Sequence, residues 1–144
     1  MTVPIFHTNQ IVRFTTNYQE GKELDLTGWR YYLLWKIDEK FEVLFFFTIT
    51  SNHNYQDISF VSQFKITHPR PLCLQSELYP NSFVNTNRLV IVPYKLIPYL
   101  KFCKKCSNPC LIREDFQGII QLHNDLSKYR IKVRKIDLDL KDFI

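Results

Sequence analysis

Two apolar, aromatic segments separated by a short charged break restrict the fold more than any other feature of this sequence. The first is YYLLWKI, residues 31–37, and the second is EVLFFFTIT, residues 42–50, with the charged tripeptide DEK at 38–40 between them. Each segment has the length of a strand, and continuous apolar runs are typical of strands that are buried on both faces. Because the break is short, the two strands are predicted to form an antiparallel hairpin at the centre of the fold.

Further strands are predicted on both sides of this hairpin. QIVRF, residues 10–14, alternates between apolar and polar side chains, and the polar residues 17–27 after it predict a long loop. Residues 82–94 form a second strand-like run, with a bend expected near the asparagines at 85 and 87. Residues 52–82 mix short apolar alternations, at 58–61 and 64–66, with prolines, which indicates an irregular edge strand and loops.

One helix is predicted, at REDFQGIIQLHNDLSKYR, residues 113–130. Acidic residues open this segment and basic residues close it, as the helix dipole prefers, and one face carries Phe116, Ile119, Ile120, His123 and Leu126. The tail, residues 131–144, alternates at period two and is either a final strand or an arm that pairs elsewhere. The predicted fold is mainly β with α+β character, a small SH3-like, partly closed antiparallel barrel with one packed C-terminal helix. We expect one domain over residues 1–144, with a cysteine-containing insert at about 98–112.

Composition and charge limit the classes of function. The 45% hydrophobic and 15% aromatic content excludes a disordered chain. A chain of 144 residues can also bury a hydrophobic core without metal sites or disulfides to stabilise it. The net charge of +5 favours a polyanionic partner. The sequence shows neither a secretion signal nor an apolar run of membrane-spanning length. We therefore expect a cytoplasmic protein that does not contact a membrane.

The four cysteines are Cys73, Cys103, Cys106 and Cys110, and three of them lie in CKKCSNPC. In a reducing cytosol such residues are thiols or metal ligands before they are disulfides. A structural zinc site needs four ligands and usually has a second paired motif, which this sequence lacks. Isolated thiols are the preferred interpretation, the four cysteines are kept as the weaker zinc candidates, and no metal or other cofactor is predicted.

Four stretches, QIVRF, GWRYYLLW, LFFFTITSN and NSFVNTNRLVIVPYKLI, occur in the order and spacing of a known toxin family between about Ile11 and Ile97. In this respect the chain resembles the MazF, PemK and Kid toxins of bacterial toxin–antitoxin systems. It departs from them at Tyr31, where the family usually has proline, and at Val90, where a second arginine is common. The ToxN-like endoribonucleases, which bind an RNA antitoxin, share the fold and tolerate inserts, so the subfamily is open.

The resemblance implies a metal-independent endoribonuclease that cleaves single-stranded RNA, in which the ribose 2′-oxygen attacks the adjacent phosphate. Arg30 would meet the charge that develops on the phosphoryl oxygens, because its planar fork fits phosphate. The hydroxyl of Thr50 would bind the phosphate or the attacking oxygen, with Ser51 as a second candidate, and His53 is the nearest proton carrier. The alternatives are an ordinary surface arginine, a strand-end turn and a solvated loop histidine.

The expected RNA-binding residues are Tyr18, Lys22 and Trp29, in and next to the loop at 17–27, and Arg88, two residues from the family's second arginine position. The expected partners are single-stranded RNA, a cognate antitoxin that is either protein or RNA, and a second copy of the chain in a homodimer. The main alternative function is a catalytically silent SH3-like module that binds protein or nucleic acid. A gyrase poison on the same fold ranks last, because that group ends in Trp-Gly-Ile and this chain ends in Lys-Asp-Phe-Ile.

Overall fold

The computed structural model of this chain describes residues 6–20, 24–50, 62–67, 69–70, 82–101 and 110–143. In chain order, the strands within these ranges are β1 (Ile11–Thr16), β2 (Gln19–Glu20), β3 (Leu24–Asp25), β4 (Gly28–Asp38), β5 (Val43–Thr50), β6 (Gln63–Lys65), β7 (Pro69–Arg70), β8 (Phe83–Pro93), β9 (Cys110–Leu111) and β10 (Arg134–Asp137). The helical segments in the same ranges are α1 (Arg113–Asp125) and the 3-10 helices Tyr94–Tyr99, Leu126–Tyr129 and Leu140–Phe143. In the main sheet of this described part, the strand order is β1-β4-β5-β8-β10, and β6 also pairs with β8.

The central hairpin predicted from the two apolar runs is present. β4 and β5 are antiparallel, with Leu33 opposite Phe47, and a turn at residues 39–42 connects them after Asp38, the last residue of β4. Glu42 closes this turn in the left-handed region at φ 54°. The register of the pair shifts between Leu34 and Lys36, which marks a bulge in β4.

β8 is bent where the sequence predicts a bend. Phe47 of β5 pairs with Leu89 of β8, but the next residue, Thr48, pairs with Asn85. Residues 86–88 therefore have no counterpart in the ladder with β5. Asn85 also lies opposite Gln63 of the short edge strand β6. This irregular segment divides β8 into a first part that lies between β5 and β6 and a second part that lies between β5 and β10.

The two faces of the sheet carry separate cores. On one face, which we call the Tyr32 face, the strands bury Val12, Phe14, Tyr32, Leu34, Phe46 and Val90 against the 3-10 helix Tyr94–Tyr99 and the C-terminal tail. On the other, the helix face, they bury Ile11, Leu33, Phe47 and Leu89 against Ile119 of α1. This division follows from the period-two alternation of strand side chains. The sheet is therefore buried on both sides, as its continuous apolar runs predict.

The predicted helix is present as α1, which the 3-10 helix Leu126–Tyr129 continues. Its apolar side buries Ile119, and Leu126 is buried just after the helix. The first turn is fixed by Asp115, whose carboxylate accepts hydrogen bonds from the backbone nitrogen of Thr67 at 3.0 Å and from the hydroxyl of the same residue at 2.7 Å. Arg130 ends the helical segment in the left-handed conformation, at φ 56°.

The tail is a strand of the chain's own sheet. β10 runs parallel to β8, with Ile136 opposite Val90, and the backbone carbonyl of Asp142 accepts a hydrogen bond of 2.7 Å from the nitrogen of Asn17. The parallel pair is possible because the long connection through α1 carries the chain back along the sheet. The sheet is consequently mixed, where an antiparallel barrel was expected, while the predicted α+β class with an incompletely closed sheet is confirmed.

Candidate functional site

Most of the predicted site residues that the structure describes lie near one end of the main sheet. β1 and β5 end there, at Thr16 and Thr50, and β4 begins there, at Gly28. β8 is antiparallel to β5 and parallel to β10, so the first residues of β8 and β10 lie toward the same end. We call this region the Arg30 end of the sheet. The strand topology thereby gathers, in or next to its strands, Tyr18, Trp29, Arg30, Thr50 and Arg88.

Arg30 is partly buried and lies opposite Phe14 of β1. Its Nε atom is buried and has no hydrogen-bond partner among the residues that the structure describes. A buried donor without an acceptor costs about 1–3 kcal/mol, and more for a charged group. Hydrogen bonds from Thr27 and, to a smaller extent, the positive charge of Arg30 lower the pKa of the Asp25 carboxyl. An anion that accepts a hydrogen bond from Nε would remove the cost at Arg30, so this side chain is suited to bind phosphate.

Thr50 ends β5, the strand next to the one that carries Arg30. Tyr32 of β4 pairs with Thr48 of β5, and two residues further along these antiparallel strands the same register places Arg30 opposite Thr50. Directly opposite side chains point to the same face, with Cβ atoms about 4.5–5.5 Å apart. On its other side Thr50 lies opposite Phe83 of β8. The two motif positions proposed from the sequence therefore share one face of the sheet.

Three of the predicted residues lie outside the described part of the chain. These are Ser51 and His53, which follow β5, and Lys22, which lies between β2 and β3. Their proposed roles stay predictions.

Next to Arg30 and Thr50 lies a row of polar side chains that the sequence reasoning missed. The amide nitrogen of Gln63 donates to the side-chain oxygen of Asn85 at 2.8 Å. The amide nitrogen of Asn85 in turn donates to the hydroxyl of Thr48 at 2.9 Å. Thr48 and Asn85 are buried, so these hydrogen bonds are in a dry environment that strengthens them. The row crosses three neighbouring strands and fixes the orientation of each member.

Tyr32 extends this row onto β4, since it lies opposite Thr48. Its side chain is fully buried, and its ring stacks on Phe14 with centroids 4.2 Å apart and planes 12° apart. The phenol hydroxyl is buried and has no hydrogen-bond partner in the described ranges of the chain. Burial raises the pKa of this phenol well above its ordinary value, and the charge of Arg30 offsets part of that effect. The hydroxyl is therefore protonated at neutral pH and can donate a hydrogen bond.

Tyr18 follows β1, and a carboxylate holds its hydroxyl. The hydroxyl of Tyr18 donates a hydrogen bond of 2.7 Å to Oε2 of Glu20. The other oxygen of this carboxylate lies 2.7 Å from the guanidinium of Arg134. Burial and the hydrogen bond to Glu20 raise the pKa of Tyr18, while hydrogen bonds from Tyr18 and Arg134 lower the pKa of Glu20. The ring of Tyr18 also packs against the core of the Tyr32 face. Tyr18 thus has structural contacts that the sequence reasoning did not foresee.

Arg88 lies in the irregular part of β8, where its backbone is opposite that of Arg134 in β10. Two arginines are therefore aligned in this part of the Arg30 end, and Arg134 forms an ion pair with Glu20.

Trp29 points away from Arg30, because consecutive strand residues face opposite sides of a sheet. Its side chain is 48% exposed. The guanidinium of Arg13 lies 5.7 Å from the Trp29 ring and 5.3 Å from the Tyr31 ring, within cation–π distance. Tyr31, at the position where the toxin pattern has proline, is therefore part of an arginine–aromatic group on the helix face and does not occupy the face of Arg30.

His123 faces the core of the helix face, as the sequence analysis expected. Its Nδ1 atom lies 2.8 Å from the backbone oxygen of Thr86. Its ring contacts Trp35 and Phe47 at centroid distances of 4.7 Å and 5.2 Å. These contacts give His123 a packing role on the face opposite to Arg30.

The structure gives no metal ligand set within the ranges it describes. Cys110 belongs to β9, is partly exposed and is a free thiol, while Cys73, Cys103 and Cys106 lie outside those ranges. Among the described residues, no group of three or more His, Cys, Asp or Glu side chains is placed to hold a metal ion. The possibility of a structural zinc site at the cysteines is untested.

Comparison with known proteins identifies the fold. No protein-family model matches the chain, and no curated protein matches it in sequence. Among solved structures, the chain is similar to the crystal structure of MazF from Deinococcus radiodurans, with a TM-score of 0.56 and 11% sequence identity. The similarity covers 89% of this chain and 99% of the MazF chain. In the described part of the chain, no helix is long and apolar enough to cross a membrane.

Proposed function

We propose that this chain, which has the fold of MazF, is the toxin of a toxin–antitoxin system. Its proposed activity is that of a metal-independent endoribonuclease that cleaves single-stranded RNA. The observation that carries this proposal is the buried, unpaired Nε of Arg30 on the face that it shares with Thr50. A cation with an unused donor, beside a hydroxyl and at an end of the sheet, is suited to the phosphate of a nucleic acid. The net charge of +5 agrees with a polyanionic substrate.

In the proposed reaction the ribose 2′-oxygen attacks the adjacent phosphorus, and the bond from phosphorus to the 5′-oxygen breaks. Negative charge accumulates on the nonbridging oxygens as the attack proceeds. Arg30 stabilises that charge, because its guanidinium is carried by a strand of the sheet and is partly removed from water. The Thr50 hydroxyl orients the phosphate or the attacking oxygen from the neighbouring strand.

The reaction also needs a group that removes the proton from the 2′-hydroxyl and one that returns a proton to the 5′-oxygen. His53 is the proposed proton carrier, because it follows Thr50 by three residues and an imidazole is the side chain best suited to take up and release a proton near neutral pH. Ser51 is the second hydroxyl proposed at this position.

RNA binding is proposed to extend around the start of β4. Since Arg30 and Trp29 face opposite sides of the sheet, a single strand that crosses this end contacts the arginine with a phosphate and the exposed indole with a base. Lys22 and Arg88 supply further positive charge to the strand. Tyr18 contributes through its ring, because Glu20 holds its hydroxyl.

The alternative function is a silent binding module, and the departures from the toxin pattern are its support. Val90 stands where the toxin pattern commonly has a second arginine. Its side chain is fully buried in the core of the Tyr32 face, so this position supplies no charge to the site. Arg88, two residues earlier, is the nearest cation on β8. A binding module would bind its partner without any cleavage.

Cleavage of single-stranded RNA in excess EDTA separates the two functions. We expect the wild-type protein to cut the RNA at the same rate with and without the chelator, because Arg30 supplies the charge that a metal ion would otherwise provide. An Arg30→Ala protein purified in the same way is the control for contaminating nuclease. The proposal fails if the RNA stays intact, or if EDTA abolishes cleavage while the fold is retained.

A homodimer is also part of the proposal. Large apolar side chains are exposed on the described surface, Tyr99 and Leu140 among them, and such surface is often covered by a second copy of the chain. Sedimentation at micromolar concentration is expected to give twice the mass of the 17.4 kDa chain. A monomer mass under these conditions would contradict the prediction.

The antitoxin is proposed to be encoded next to the toxin. A neighbouring short acidic reading frame would fit a protein antitoxin for this basic chain, and a short tandem nucleotide repeat would fit an RNA antitoxin. Co-expression of the neighbour is expected to relieve growth arrest caused by the wild-type chain.

A further inference from the structure

We propose that Tyr32 is a second phosphate-contacting residue of the Arg30 site, whose hydroxyl donates a hydrogen bond to a nonbridging oxygen of the phosphate that Arg30 holds. This inference rests on the proposed function for its catalytic consequence. The contact itself, between a phenol and a phosphate oxygen, needs no cleavage and can be tested separately.

The position of Tyr32 supports this role. Tyr32 is two residues from Arg30 in the same strand, so both side chains belong to one face of the sheet. It lies opposite Thr48, just as Arg30 lies opposite Thr50 in the continued register. Tyr32 is therefore one step further into the sheet than the Arg30–Thr50 pair, at the boundary between the polar row and the apolar core.

The hydroxyl of Tyr32 has no structural function that the contacts reveal. It is buried, and no atom in the described part of the chain forms a hydrogen bond with it. A core position that needs only a stacked ring is filled as well by phenylalanine, without the cost of removing a hydroxyl from water. An unpaired buried polar group in a native protein calls for an explanation, and a ligand that is absent from the unbound state is one such explanation.

The state of this hydroxyl suits an anionic ligand. Because burial holds the phenol in its protonated form, it presents a donor and no negative charge to the phosphate. The ring cannot easily turn away, since it is stacked on Phe14 and meets Phe46 edge to face at 6.2 Å. Nε of Arg30, whose side chain belongs to the same face of β4, is also a buried donor without a hydrogen-bond partner among the described residues.

Access to the hydroxyl requires a local movement. The side chain of Tyr32 is fully buried, so the phosphate reaches it only when the outer pair, Arg30 and Thr50, makes room. Both outer residues are partly exposed and lie at the end of the sheet. Phosphate binding is therefore expected to order Arg30 and to cover the ligand at the same time.

Tyr32→Phe is the direct test, because it removes the hydroxyl and leaves the ring. We expect the single-turnover rate of RNA cleavage to fall by about 10²-fold, the usual effect of losing one donor to developing charge. The melting temperature is expected to stay the same or to rise, because an unpaired buried hydroxyl is removed. Tyr129→Phe, at a tyrosine that is 58% exposed, is the matched control and should change neither quantity.

Inorganic phosphate provides an arm of the test that does not depend on cleavage. Phosphate is expected to raise the melting temperature of the wild-type and Tyr129→Phe proteins above that in chloride of equal ionic strength. The rise should be smaller for Tyr32→Phe and for Arg30→Ala. If the wild-type protein stabilised by phosphate does not cut RNA, the proposed function fails while the phosphate contact of Tyr32 stands.

Two results would overturn the inference. One is a Tyr32→Phe protein that gains the full stabilisation by phosphate and, where the wild type cleaves, cuts RNA at the wild-type rate. The other is a clear fall in the melting temperature of Tyr32→Phe without phosphate, because this would show that the hydroxyl has a structural partner.

Discussion

Arg30→Ala is expected to slow single-turnover cleavage of single-stranded RNA by about 10²- to 10³-fold, the usual cost of one donor to developing charge. The affinity for RNA should change much less, because Arg30 is one phosphate contact among several. Losing one contact lowers the slope of log K against log salt concentration by only about one. Folding should be unharmed, because Nε of Arg30 makes no hydrogen bond within the described part of the chain that the substitution could remove. The measurement combines quenched single-turnover kinetics, a binding titration and a thermal melt.

Companion variants sharpen this test. Arg30→Lys should restore little, because a point charge cannot make the two-pronged contact of a guanidinium. Thr50→Ala should also slow cleavage, and the double variant should lose less than the sum if both residues serve the same transition state. Arg113→Ala, at an exposed position of α1, is the matched control for lost charge. Wild-type speed in Arg30→Ala, or a melting temperature far below wild type, would make Arg30 a structural residue.

The largest stability effect is expected from Phe14→Ala, which should lower the free energy of unfolding by about 3–5 kcal/mol. Phe14 is fully buried, stacks on Tyr32 at 4.2 Å and meets Phe46 edge to face at 5.8 Å. Its removal leaves a cavity under the strand that carries Arg30, so cleavage should also slow even where the protein stays folded. Urea unfolding followed by fluorescence gives the free energy.

Phe41→Ala is the control for this prediction. Phe41 lies in the turn between β4 and β5 and is 70% exposed, so its loss should change the free energy by no more than about 0.5 kcal/mol. An unfolding free energy of Phe14→Ala within about 1 kcal/mol of wild type would show that the packing of Phe14 on Tyr32 and Phe46 does not contribute much to the stability of the Tyr32 face.

The elements that the sequence predicted well are those fixed by local pattern. The central hairpin followed from two apolar runs with a short charged break, and α1 followed from apolar spacing with acidic residues in its first turn. The bend of β8 was marked by its asparagines, which interrupt an otherwise apolar strand. The pairing of the tail was left open because its partner is remote in sequence, and a period-two pattern does not say with which strand, or in which direction, a segment pairs.

The candidate site was predictable only in part. Arg30 and Thr50 stood out because the quoted stretches resemble a toxin pattern, and the register places them on one face. Tyr32 was missed because one aromatic residue in an apolar run cannot be told from a core residue without its contacts. The row through Asn85 and Thr48 was missed because it joins strands far apart in sequence. The opposite orientation of Trp29 and Arg30, in contrast, follows from strand geometry alone.

The chemistry of the RNA ends tests the central claim most directly. Single-stranded RNA is incubated with the wild-type protein in EDTA, and the products are identified by mass spectrometry. Attack by the 2′-oxygen with departure of the 5′-oxygen predicts a 2′,3′-cyclic phosphate, or its hydrolysis product, on one fragment and a 5′-hydroxyl on the other, with neither formed by Arg30→Ala. Intact RNA, or fragments with a 3′-hydroxyl and a 5′-phosphate, would contradict the mechanism.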